Sequence, residues 1–374
     1  MTAAAPTIGI VGLGTMGLGI AQVYAAAGFS VIATDAHAPT RETARARIAE
    51  ALNARIRAGK LTEAARDATL SHLAIVESLA AFSPCDLVIE AIVERLDAKQ
   101  DLFRTLESIL SATSILATNT SSIPVRDIAA GLAHPGRVLA LHFFNPPTAM
   151  KLVELAPHDG TLIENVNISR QITEYAKKIV IECPDRPGFI VNRCARPFYG
   201  EALALLAEGR SASDIDAAML TAGYRLGPLS LIDLIGADIN LSATRGMFAA
   251  MGHHPRYHVF AALEAQVAAG RLGRKSGQGF LHPAQPGPAP ADAEVIALRI
   301  EATLINEAHW LLSEGGTTAT GIDTAMKLGL NFPRGPFEAL AHHGRAAVVQ
   351  TLSALQAAAP EAMKDRYTPA PGLA

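Results

Sequence analysis

What this chain has little of narrows its chemistry. Three cysteines in 374 residues, Cys85, Cys183 and Cys194, are too few for a disulfide framework and show no metal-ligand spacing. They fit a reducing compartment, as small buried hydrophobes. A dominant charge is also missing. The 32 Lys and Arg against 35 Asp and Glu leave a formal net charge of −3, which gives no reason to expect a nucleic-acid partner. No apolar run reaches the length of a membrane span. Residues 1–6 carry no charged side chain and lead straight into the first apolar segment, so no targeting signal is expected. These absences point to a soluble, cytoplasmic protein without metal, membrane or nucleic acid. With 49% hydrophobic and 18% charged residues, the composition is globular. A chain of 374 residues can hold two or three domains with sizeable cores.

What is present is organised around residues 7–35, TIGIVGLGTMGLGIAQVYAAAGFSVIATD. Ile8 to Leu13 reads as a buried parallel strand, Met16 to Ala27 as a helix ended by Gly28, and Phe29 to Ala33 as a second strand. Gly12, Gly14 and Gly17 stand at G-x-G-x-x-G spacing in the turn between, with Thr15 and Met16 inside the motif. The first glycine permits a tight turn, the second lets backbone approach a pyrophosphate, and the third lets helix pack on strand. A pyrophosphate would sit on the free N–H groups at the helix N-terminus. Asp35 lies 18 residues past Gly17, where its carboxylate can accept from a ribose 2′-hydroxyl. A lone glycine motif is weak evidence; strand, helix and acid in their places make it a dinucleotide site. NAD is expected rather than NADP, because Asp35 would repel a 2′-phosphate and no Arg follows it directly (His37 is the nearest cation).

Pro39 to Ala58 reads as a long helix bearing Arg41, Arg45, Arg47, Arg55 and Arg57. Gly59 breaks it, and Lys60 leads to a second helix with Thr62 as N-cap. This basic hairpin is either a solvated face or a contact surface for a polyanionic ligand. Strands follow at Leu73–Val76, Asp86–Val93, Ser114–Thr118 and Val138–Phe144, with a helix at Leu96–Leu110. Leu152–Leu155 and Ile179–Cys183 add two short strands around a helix at Leu162–Lys178. Such alternation predicts a parallel, doubly wound α/β sheet with ligands at the C-terminal strand ends. Glu94, Lys99, Asn119, Ser121, His142 and Asn145 fall at or just past those ends.

The turn-rich Pro184–Gly188 marks a domain boundary. Beyond it the pattern is helical and internally repeated. EALALLAEG at 201–209 is echoed by EAHWLLSEG at 307–315, IDAAM at 215–219 by IDTAM at 322–326, and GPL at 227–229 by GPF at 335–337. The matches lie 106, 107 and 108 residues apart, with a proline-rich linker, Pro283–Ala291, between the copies. The expected division is a Rossmann-type domain over 1–184 and two all-α domains over 185–284 and 292–374. Thr368–Ala374 reads as a frayed tail.

Oxidising an alcohol needs a base for its proton and donors that hold its oxygen. His142 suits the first task, since imidazole titrates near neutral pH, and Glu154 is the candidate partner for its other nitrogen. NTSSIP at 119–124, HFFNP at 142–146, KLVEL at 151–155 and PGFIVNR at 187–193 together resemble the motif set of 3-hydroxyacyl-CoA dehydrogenases, over essentially the whole chain. That resemblance implies NAD-dependent oxidation of (S)-3-hydroxyacyl-CoA to 3-ketoacyl-CoA. It makes His142 the base and Glu154 its partner, gives Ser121 a bond to the reacting oxygen, and has Asn192 position the substrate or the histidine. It places Glu94 and Lys99 at the nicotinamide half of the cofactor, with Asn119 and Asn145 also on the cofactor, and Lys60 with its hairpin at the CoA phosphates. The duplicated helical region resembles longer members of the family, and leaves monomer and homodimer both open. Two alternatives remain on the same fold: a dehydrogenase of a free 3-hydroxy acid, and a catalytically silent NAD-binding protein.

Overall fold

The computed structural model describes residues 5–373 and divides the chain into two compact units, one running to Arg186 and one beginning at Pro187. The first unit is built on an eight-stranded sheet of order β3-β2-β1-β4-β5-β6-β7-β8. Its strands are β1 (Thr7–Val11), β2 (Ser30–Thr34), β3 (Leu73–Ile75), β4 (Leu87–Glu90), β5 (Ile115–Thr118), β6 (Val138–Phe143), β7 (Leu152–Pro157) and β8 (Ile179–Glu182). Helices α1 (Thr15–Ala26), α2 (Ala38–Arg57), α3 (Glu63–Ser71), α4 (Leu96–Ile109), α5 (Val125–Ala129) and α6 (Ile163–Tyr175) connect them. Strands β1, β4, β5 and β6 are almost wholly buried, as a sheet covered on both faces requires. Thr62 caps α3 as expected, accepting from Ala65 N at 3.2 Å.

Three expectations need correction. The sheet is mixed, because β7 pairs antiparallel with β6, and β8 runs with β7. Only eight residues separate Phe143 from Leu152, too few for the helical crossover that a parallel return demands. The strand expected over 86–93 stops at Glu90. Beyond it Ala91 folds over Gly12, and Ile92 N turns back to donate to the Glu90 carboxylate at 2.7 Å. The expected frayed tail is packed. Asn306 Nδ2 donates to Thr368 O at 3.0 Å, Ala370 N donates to Asn306 Oδ1 at 2.8 Å, and Leu373 is fully buried in a core cluster with Ile305, Val348 and Leu352. Ala374 lies outside the described residues.

The second unit is helical: α7 (Val191–Cys194), α8 (Arg196–Ala207), α9 (Ala212–Thr221), α10 (Pro228–Ile235), α11 (Ala237–Ala250), α12 (Ala261–Ala268), α13 (Ala293–Ser313), α14 (Ala319–Leu330), α15 (Pro336–His343) and α16 (Arg345–Ala358). Within each copy of the repeat an aspartate caps the start of an equivalent helix. Asp216 accepts from Leu229 N and Ser230 N, and Asp323 from Phe337 N and Glu338 N. The glycine opening each helix, Gly227 or Gly335, is required there, since an added Cβ would stand 2.3 Å from that aspartate.

Between the copies the contacts are reciprocal. Glu201 accepts from Arg299, Arg366 and Tyr367, all in the second copy. Glu307, 106 residues on, accepts from Arg193, Arg256 and Tyr257, all in the first. Arg299 grips Glu208 with both Nη atoms, as Arg193 grips Glu314. An exchange in which i meets j and j meets i is the signature of two-fold contact. Here one chain makes it with itself.

Candidate active site

The turn after β1 is shaped by backbone contact. Gly12 has φ +98°, and a Cβ there would lie 2.5 Å from the Ala91 carbonyl oxygen. A Cβ on Gly17 would lie 1.8 Å from Gly12 O, so α1 meets the strand only because that residue is glycine. Gly14, the N-cap of α1, instead faces open space, and no side chain caps the helix. Thr15 beside it is exposed and Met16 half-buried. The cradle thus has room and donors for a pyrophosphate.

Asp35 stands at the end of β2, half-buried. Its Oδ2 accepts from Leu13 N at 2.7 Å and its Oδ1 from His37 N at 2.8 Å, which ties the acid to the glycine turn. An ionised carboxylate keeps further lone pairs for a ribose hydroxyl. Both features fit a dinucleotide. In the basic hairpin, Arg41, Arg45 and Arg47 direct their guanidinium groups to the carbonyls of Asp35, Leu73 and Leu13. Arg57 pairs with Glu50, while Lys60 is exposed on the turn.

At the ends of β4 and β5 a chain of charges holds the NTSS turn. Lys99 on α4 is buried, with its Nζ 2.6 Å from Glu90 Oε1 and 3.2 Å from Glu94 Oε2. Glu90 also accepts from Thr118 Oγ1 at 2.8 Å. Glu94 in turn accepts from Ser122 Oγ at 2.8 Å, from Ser121 N at 3.3 Å, and from Thr120 Oγ1. Burial opposes ionisation of Glu94, but Lys99 and the Thr120 and Ser122 hydroxyls outweigh it and hold its carboxyl below the ordinary value. Asn119 Oδ1 accepts from Phe143 N at 2.8 Å and so ties this turn to the end of β6. Glu90 was hidden from sequence reasoning inside an apolar strand; its signal was a carboxylate in such a strand with a lysine nine residues on.

His142 and Glu154 face each other across the antiparallel β6–β7 pair. His142 Nδ1 lies 2.7 Å from Glu154 Oε2, with the carboxylate fully buried and the ring slightly exposed. Phe144 packs against the imidazole at 4.7 Å between centroids. The pair can hold one tautomer of the ring and stabilise an imidazolium. Asn145 is exposed just beyond, in a turn whose Pro147 ring rests on Gly19 of α1 and whose Pro147 and Met150 carbonyls accept from the buried Lys178. Asn192 belongs to the second unit. It is half-buried on α7, and its carbonyl accepts from Arg196 Nε at 3.1 Å.

Comparison with known proteins accounts for both units. Residues 7–186 match the family model described as 3-hydroxyacyl-CoA dehydrogenase, NAD binding domain, and residues 188–282 and again 296–373 match that of the 3-hydroxyacyl-CoA dehydrogenase C-terminal domain. The chain belongs to the 3-hydroxyacyl-CoA dehydrogenase family. Among its relatives in that family is the 3-hydroxyadipyl-CoA dehydrogenase of Escherichia coli K12, 42% identical over 73% of this chain and 58% of that protein. A probable 3-hydroxybutyryl-CoA dehydrogenase of Deinococcus radiodurans is 38% identical over 73% of this chain and 98% of its own. The crystal structure of 3-hydroxybutyryl-CoA dehydrogenase from Escherichia coli K12 superposes with a TM-score of 0.92 at 32% identity, covering 99% of this chain and 98% of that one. Among the described residues no helix is long and apolar enough to cross a membrane.

Proposed function

We propose that this member of the family oxidises (S)-3-hydroxyacyl-CoA to 3-ketoacyl-CoA, reversibly, with NAD as the hydride acceptor. The observation that carries the reading is the His142–Glu154 contact at 2.7 Å on β6, a strand of the sheet that carries the dinucleotide cradle and whose following turn rests through Pro147 on Gly19 of α1. NAD, when bound, takes the hydride from C3 of the substrate. Gly12, Gly14, Thr15, Met16 and Gly17 hold its pyrophosphate, Asp35 a ribose, and Glu94, Lys99, Asn119 and Asn145 its nicotinamide half. His142 Nε2 removes the proton of the 3-hydroxyl, and Glu154 stabilises the imidazolium that results. Ser121 donates to the reacting oxygen, from a turn held by Glu94. Asn192 positions the substrate, and Lys60 meets the CoA phosphates.

The substrates in the relatives' names support a short or dicarboxylic acyl group, and the reading places the reaction in the cytoplasm. Two tandem helical domains, 185–284 and 292–374, follow the NAD domain of 1–184; the double match to one C-terminal model supports that division. The reciprocal contacts between the copies favour a monomer over a homodimer. The test is NADH oxidation with acetoacetyl-CoA beside free acetoacetate. Turnover of the thioester, abolished in His142→Ala, upholds the reading. Turnover of the free acid alone, or NAD binding with no turnover, sinks it.

A further inference from the structure

The two halves of the repeat contact are alike in geometry but not in what they adjoin. In the first copy the clamped arginine is Arg193, and the residue before it is Asn192. In the second it is Arg299, 106 residues on, and the residue before it is Leu298. Both arginines bond Glu307 or Glu201 through Nε at 2.7 Å. Both hold Glu314 or Glu208 with their two Nη atoms. Arg193 is fully buried, and α7, which carries it, is a single turn of four residues. So short a helix has little rigidity of its own.

We infer that the second helical copy sets the position of Asn192. Glu307 and Glu314 act as positioning residues for the proposed reaction, through Arg193. Glu307 is itself fixed by two further donors of the first copy, Arg256 Nε at 3.0 Å and the Tyr257 hydroxyl at 2.5 Å. The guanidinium therefore meets a rigid, buried anion rather than a mobile one. On the other half, the same device holds α13 at Leu298, which has no polar group to offer a substrate. One half of the contact serves the site. Its mirror half serves the fold alone.

This inference rests on the proposed function, and the mirror half supplies its control. Glu307→Gln and Glu201→Gln each weaken one buried, threefold-bonded carboxylate, so a purely structural role predicts equal effects. The expected result is a similar fall in Tm for both. Only Glu307→Gln should lose kcat/KM for acetoacetyl-CoA, on the order of tenfold or more, with KM for NADH unchanged. Should either fail to fold, Glu314→Gln and Glu208→Gln repeat the comparison nearer the surface, where the two carboxylates are 32% and 53% exposed. Equal activity in the mirror variants, whether both fall or neither does, overturns the inference while leaving wild-type turnover intact. A wild type that turns over no acyl-CoA overturns the proposed function, and this inference with it.

Discussion

Lys99→Met is the most informative single change in the first unit. Lys99 is 1% exposed and its main partner, Glu90, is not exposed at all. Removing one member of a buried pair leaves the other charge without compensation, at a cost of about 3–5 kcal/mol. Glu90 would retain only the Thr118 hydroxyl and Ile92 N as donors. For a cooperative unit of this size, about 2–4 °C of Tm is lost per kcal/mol, so a fall of about 6–20 °C is expected. Methionine keeps the volume of the lysine stem, so the loss is electrostatic rather than a cavity. The double variant Glu90→Leu/Lys99→Met should recover much of the loss, because an apolar pair of similar volume replaces the ions. It should not recover activity, since Glu94 still lacks the cation that holds it over the NTSS turn. Thermal melts followed by circular dichroism, with NADH oxidation on the same samples, read both effects. A fall below about 2 °C in the single variant, or strictly additive losses in the double, would refute the reasoning.

Glu154→Gln should fold as the wild type does and lose on the order of a hundredfold in kcat, because the amide holds the ring but cannot stabilise the imidazolium; steady-state rates beside a thermal melt would show it. Asp35→Ala removes both the expected ribose acceptor and the cap on Leu13 N and His37 N, so KM for NADH should rise by about tenfold or more with little gain for NADPH. The Glu107 carboxyl sits below its ordinary value of 4.5: burial opposes this, but Ala133 N, His134 N and Arg137 outweigh it. The folded state then binds fewer protons than the unfolded one in the interval between the two values. The stability Glu107 adds is therefore complete above pH 4.5 and lost as pH falls through the lower, folded value. Urea midpoints measured down through pH 4.5 should fall more steeply in the wild type than in Glu107→Gln.

Much of this was legible because backbone chemistry leaves marks in sequence. The glycine turn, the acid after β2 and the strand–helix alternation each have a local physical cause, and each stands where expected. The reversal of β7 was legible too, in a connection too short to cross over, but the strand pattern alone carries no direction. Leu373 shows the opposite case. Nothing local marks a terminal leucine as core; Asn306 and Arg345, far back in the chain, hold the backbone around it. The pairing of Lys99 with Glu90 was opaque for a related reason, since a buried ion pair is a property of two elements at once. The proposed site roles of Ser121, Asn192 and Lys60 came from motif resemblance, and spacing alone would not have separated them from caps and solvated lysines.

The internal exchange of Glu201 and Glu307 bears on how this chain can change. In a homodimer one codon writes both sides of a two-fold contact, so a substitution that helps one face is imposed on the other. Here each side has its own codon. The second copy can accept changes that a shared gene would forbid, and Leu298, at the repeat position that Asn192 holds in the first copy, is one of them. A cleft of about 580 Å³ is lined by Ala218, Thr221 and Ala222 of the first copy and, from the second, by residues that include Glu301, Arg334, His342 and His343. Those four second-copy residues stand at repeat positions where the first copy has Ala195, Leu226, Leu234 and Ile235. Fusion has turned a symmetry constraint into room for divergence.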